Sequence, residues 1–232
     1  MQAIQDYLVE KQNQFAQHSL FKRLLKEQSL QEFASLSAHL SFWVMSFQDL
    51  LRLNEERITN IEIRSIVRQH RLEDIGHEQW FLKDMNQMKC PVINLRSLYS
   101  HNHATTREAT YALMSEVFQA HNDYERIALL LALESAGHVF FGFTVDFVEN
   151  LGYSTSLVYF SHHHLECEQD HEIFEQKIAE YIANIQLSHK ETQDILNIID
   201  RVYNAFTLMF DGLQIVIDSN IKSRKLPRLA LV

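Results

Sequence analysis

Glycine and proline are nearly missing from this chain of 232 residues, which has 5 of the first and 2 of the second. That scarcity argues against a many-turned β-protein and for long helices. Cysteine is too rare for a disulfide scaffold. Cys90 and Cys167 read as free thiols in a reducing cytoplasm. Long apolar runs are also lacking: the stretch 127–145 is interrupted by Glu134 and His138, so no segment is expected to span a membrane. The opening MQAIQDYLVEKQNQ has no signal-peptide core. Basic charge is short as well. A formal net charge of −9 disfavours nucleic acid as a partner, because phosphate binding needs a basic surface. The one basic cluster, Lys222, Arg224, Lys225 and Arg228, reads as a solvated tail.

What the chain does hold is apolar residues at 46% and 13 histidines, which cluster. The first is enough for a core, and the second raises the question of a metal. Apolar spacing at three and four residues runs through almost the whole sequence and predicts an all-α fold. Helices are expected near 3–16 and 18–28, then from a Ser29 cap to about Leu53 with Glu32 completing a capping box. One long helix is expected over 58–88, a loop with a short helical turn over 90–103, and helices near 105–120 and 123–149. Gly152 is placed to end the last of these. Helical spacing resumes over 154–185 and again over 190–221. With no linker or repeat, residues 1–222 read as one helical domain and 223–232 as a tail.

Three of these segments place polar groups where a simple bundle wants apolar ones. In RQHRLEDIGHEQWFLKDM, one continuous helix would put His70, Glu73, Asp74 and His77 on one face. Asp74 and His77 have the carboxylate-x-x-His spacing of di-iron bundles, where residues one turn apart address one ion. In the second segment Glu134 shares an apolar stripe with Ile127, Leu130, Leu131, His138, Phe141 and Val145. A lone buried carboxylate is costly unless it meets a cation. In the third, YFSHHHLECEQDHEIF, the residues His164, Glu168 and His171 share a face. Two imidazoles and a carboxylate so arranged suit a metal ion.

The candidate ligands are therefore Glu73 or Asp74, His77, Glu134, His164, Glu168 and His171, with His70 an alternative at the first position. A set of carboxylates and imidazoles suits iron or manganese better than the thiolate-rich structural sites of zinc. Glu134 is the natural bridge between two ions. Other features take plainer readings. Phe140, Phe141, Phe143 and Phe147 read as core, and His101, His103 and His121 as loop residues facing water. Asp194, Asp200, Asp211 and Asp218 read as solvated.

The motif His164-x-x-x-Glu168-x-x-His171 resembles the last metal motif of the haem-oxygenase-like di-iron oxidases, relatives of thiaminase II and pyrroloquinoline-quinone synthase. Glu134 on its apolar helix is similar to that family's middle ligand, and HRLEDIGHEQWFLKDM to its first metal segment. The family often has Asp where this chain has Glu168, and several members have Glu where His70 stands. The resemblance implies a bundle of about seven or eight helices around a central pocket. It further implies two irons per chain, with manganese the alternative at one site, and O2-dependent oxidation of a small organic substrate. C–C cleavage, desaturation and N-oxygenation are the reaction types, with Glu134 and His171 at the catalytic centre. A homodimer is the default assembly. Two competing functions are a metal-free acid–base enzyme using the same pocket and a non-catalytic helical module that binds a ligand or haem.

Overall fold

The computed structural model describes residues 2–27, 29–90, 92–153, 155–165, 178 and 187–225. Among these the chain is all-α, with nine α-helices, one 3₁₀ turn and no strand. The helices are α1 (Gln2–Ala16), α2 (Ser19–Glu27), α3 (Leu30–Arg57), α4 (Ile61–Glu73), α5 (His77–Gln87), α6 (Leu95–Leu98), α7 (Ala104–Gln119), α8 (Asp123–Asn150) and α9 (His189–Lys225). The 3₁₀ turn is His101–His103.

Local chemistry explains most of these boundaries. Ser29 has extended backbone and its side chain accepts from Glu32 N–H, so α3 starts where its cap residue stands. Asn60 does the same for α4 through Glu62 and Ile63. Asp123, at the head of α8, accepts from Thr59 N, Thr59 Oγ1 and Asn60 N, tying the starts of α4 and α8 together. Although burial opposes it, these N–H donors hold the Asp123 carboxyl below the usual range. Gly152, at φ +76, ends α8 as expected: its N–H reaches Glu149 O and that of Tyr153 reaches Val148 O.

Three boundaries differ from the sequence reading. The helix expected over 58–88 is broken into α4 and α5 by the turn 74–76, where Gly76 takes φ +101. The stretch 155–161 is a run of turns rather than helix, and helix begins only at 162–165. The last helix also runs past 221, through Lys225.

Helices α3, α8 and α9 form the centre, with α9 packed on α7, α8 and α1, and α3 on α7, α4 and α5. Gly212 in α9 lies so close to α7 that an added Cβ would stand 2.6 Å from Thr105 Cβ. One aromatic cluster joins Phe15, Phe21, Phe206 and Phe210, and another joins Phe33, Phe81, Phe147 and Phe160. The acidic residues of α9 are not simply solvated. Asp200 accepts from Tyr7 and Lys11, Asp218 pairs with Arg23, and Asp211 meets His18, so they fasten α9 to α1 and to the start of α2. Helix α8 has the length and hydropathy to cross a membrane, but 56% of its most apolar window is buried in the protein, as in a core helix.

Candidate metal centre

Three buried side chains meet between α4 and α8. His70 lies in the last turn of α4, Asp74 caps that helix, and Glu134 stands in the middle of α8. Ligand atoms of the three lie within 4.8 Å of one another, and the residues are 1%, 3% and 5% exposed. His70 Nε2 is 3.4 Å from Glu134 Oε1, and His70 Nδ1 is 3.8 Å from Asp74 Oδ2. This group could hold a metal ion.

The break at Gly76 extends the cluster. Because the chain turns there, His77 opens a new helix yet remains 3.2 Å from Asp74 Oδ1 through its Nδ1. His164 Nε2 reaches the same His77 nitrogen at 3.1 Å. At its other nitrogen His164 donates to the Tyr159 carbonyl over 2.7 Å. A carbonyl only accepts, so Nδ1 carries the hydrogen and Nε2 offers a lone pair, the orientation that metal-binding imidazoles take. A nitrogen of His164 and an oxygen of Asp74 thus converge on His77 Nδ1, where one proton has two acceptors to serve. A cation suits such a convergence of lone pairs, and imidazole with carboxylate fits iron, manganese or zinc rather than a soft-metal site.

The placement of His164 starts on α5. Asp84 is fully buried, and its carboxylate accepts from Val158 N at 2.8 Å and from Phe160 N at 3.2 Å. It folds the turn whose Tyr159 carbonyl then orients His164. Burial pushes the Asp84 carboxyl above its usual range, and the backbone donors only partly offset this. Ring contacts hold the imidazoles from the sides. Trp80 stacks on His77 at 4.5 Å and Phe141 lies 4.1 Å from His164.

A cavity of about 80 Å³ adjoins the cluster. Asp74, His77, Glu134 and His164 stand in its wall, and aromatic residues including Trp43, Phe47, Phe140 and Phe206 form much of the rest. Gly137 lines it too, and an added Cβ there would meet nothing within 4 Å.

Of the residues singled out in the sequence, Asp74, His77, Glu134 and His164 are brought together. Glu73 is not: it is exposed and accepts from Gln69 at 3.0 Å, because the face of α4 that carries His70 inward turns Glu73 outward. Glu168 and His171 lie outside the described residues. His138 shares the wall of a second cavity with Ile127, Leu131 and Ser135, so the stripe drawn through Glu134 divides between two cavities. Phe143 and Phe147 are core packing, on Phe21 and Phe33, whereas Phe140 and Phe141 line the cavity. His103 does not face water. It is 7% exposed and stacks on His39 at 4.2 Å, and burial, with help from the nearby His39 and Arg107 charges, lowers its pKa to about 4. Cys90 donates to Ala34 O, and burial pushes its thiol up to about 11. Sequence reasoning missed Asp84, and its only signal was an acidic residue on an otherwise inward helical register.

Compared with known families and curated proteins, the chain matches no family model and no curated sequence.

Proposed function

We propose that the chain is a non-haem di-iron oxidase or oxygenase that uses O2 to oxidise a small organic molecule held in the cavity beside the cluster. The observation that carries the reading is the buried group His70, Asp74 and Glu134, continued by His77 and His164 in the wall of an aromatic cavity. His70, Asp74, His77, Glu134 and His164 would hold the metal, joined by Glu168 and His171 from the sequence motif. Bound iron would supply the electrons that O2 needs in order to react.

The chain's own groups have separable tasks. His164 is kept with Nε2 toward the cluster by the Tyr159 carbonyl, and Asp84 keeps that carbonyl in place. Glu134 and His70 stand in contact, so a proton can be held between them while the site is empty of cations. Trp80 and Phe141 flank the imidazoles and limit the approach of water, which strengthens every charge interaction inside. The same His70–Glu134 contact favours one second reading, a metal-free acid–base enzyme acting on a substrate in the same cavity.

Anaerobic loading with Fe(II), metal analysis and an absorbance trace on mixing with O2 test the proposal. About two irons per chain and a transient visible band are expected of a carboxylate-bridged pair. No bound iron and no band would transfer the assignment to the acid–base reading.

A further inference from the structure

The cavity is not uniform along its length. Its carboxylates and imidazoles, Asp74, His77, Glu78, Glu134 and His164, share the wall with Tyr159 and with Phe15, Leu40, Trp43, Val44 and Phe206. Four of the five belong to the cluster. The fifth, Glu78, accepts from Gly76 N and from Gln79 at the head of α5. Gln48 also lines the cavity, and its Nε2 is buried with no hydrogen-bond partner among the described residues. A buried amide donor without a protein acceptor is unfavourable, and at a cavity wall a water or a ligand can complete it.

Helix register shows which end Gln48 occupies. Helices α3 and α4 are joined by the short segment 58–60 and run antiparallel, with Glu55 of α3 taking the Arg71 guanidinium of α4 at 2.5 Å. Two turns earlier on α3, Gln48 therefore stands level with the turn 74–77 that carries Asp74 and His77. From there Val44 and Trp43 stand one turn earlier and Leu40 a turn before them, and Trp43 meets Phe206 at 5.3 Å. The donor is at the metal end, where Phe141 stands against His164, and the Trp43–Phe206 pair lies farther along α3.

We propose that the substrate is a slender molecule with an apolar chain and a hydrogen-bond-accepting head, a carboxylate or carbonyl, and that Gln48 Nε2 donates to that head beside the cluster. This rests on the proposed function in so far as the head is thereby presented to the metal. The cavity of about 80 Å³ is roughly half the ~150 Å³ engineered space that admits benzene, so it would hold the head and first carbons of a chain rather than a ring system, with the rest of an octanoate-length chain outside it. Gly137 gives that chain its clearance.

Calorimetric titration of the full chain with octanoate and with octylamine, metal-free and loaded with Fe(II) under argon, tests this. Octanoate is expected to bind the wild type, and Gln48→Leu to weaken it about tenfold, the worth of a hydrogen bond to a charged acceptor. Gln48→Leu leaves octylamine unchanged and raises the melting temperature, because it removes an unsatisfied buried donor. Gln48→Glu repels octanoate and favours octylamine. Gly137→Val excludes both. Failure of the wild type to bind octanoate, equal octanoate affinity in wild type and Gln48→Leu, or unimpaired binding in Gly137→Val would overturn the proposal. Gln48-dependent binding in a chain that takes up no iron would sink the oxidase reading and spare this one. Iron uptake with no dependence on Gln48 would do the reverse.

Discussion

Two buried carboxylates, Asp84 and Glu134, belong to the same helical packing and are stabilised in opposite ways. Asp84 meets backbone N–H groups of the turn at 158–160, donors that cannot change their charge. Glu134 meets an imidazole, a partner that can lose its proton or bind a cation. The first arrangement can only hold a shape, while the second can exchange a proton for a metal. Glu116 and Glu55 fall with Asp84, since each is fixed by a guanidinium, Arg201 for one and Arg71 for the other. A buried acid is therefore informative about chemistry when its neighbours are themselves titratable, and merely structural when they are not.

Removing each acid in turn is the strongest way to break this comparison. Glu134→Ala is expected to abolish stoichiometric iron binding while far-UV circular dichroism stays unchanged. Retained iron would show that the cluster is not the metal centre. Asp84→Ala should act the other way and cost roughly 3 kcal/mol in urea unfolding, because it strands buried N–H groups. Its iron affinity should fall only as far as His164 loses its orientation, about 10- to 100-fold for a residue behind a ligand. Asp84→Asn sharpens the contrast. An amide keeps one acceptor and sheds a charge that burial already disfavours, so the expected loss is nearer 1 kcal/mol. A loss as large as that of alanine would mean that the charge itself is required.

His103 supplies the most specific test, as a buried base with no carboxylate beside it in its stack with His39. Its pKa is lowered from 6.5 to about 4 in the folded chain. Between those values the unfolded chain binds the extra proton, so stability falls as pH drops through this window and is fully present above it. At about 1.4 kcal/mol per pKa unit the loss reaches at most roughly 3 kcal/mol. His103→Phe should flatten that part of the acid limb in melting curves taken across the window. An unchanged limb would place the titration elsewhere.

Much of the helical pattern was legible because caps and spacing are local. Ser29 and Gly152 mark ends that the structure keeps. The break after Asp74 was hidden because apolar spacing continues on both sides of it, and Gly76 alone signals the left-handed turn. The turns at 155–161 were read as helix because what folds them, Asp84, lies more than seventy residues away. For the site, Glu134 could be recognised as an acid among apolar neighbours. Choosing among His70, Glu73 and Asp74 needed the rotation of α4, which only its packing on α3 and α8 sets. His103 was misjudged because a loop position says nothing of an α3 imidazole stacked on it.

The left-handed residue at position 76 has a consequence for how such a site can be altered over generations. His70 and Asp74 sit on one side of this joint and His77 on the other. A continuous helix would lock the three at fixed angles, and any insertion would swing the later one by about 100° and shift everything downstream. A joint absorbs such changes locally. Lengthening or shortening it re-aims one imidazole while both helices keep their own packing, so the spacing between ligands can be tuned without rebuilding the bundle around them.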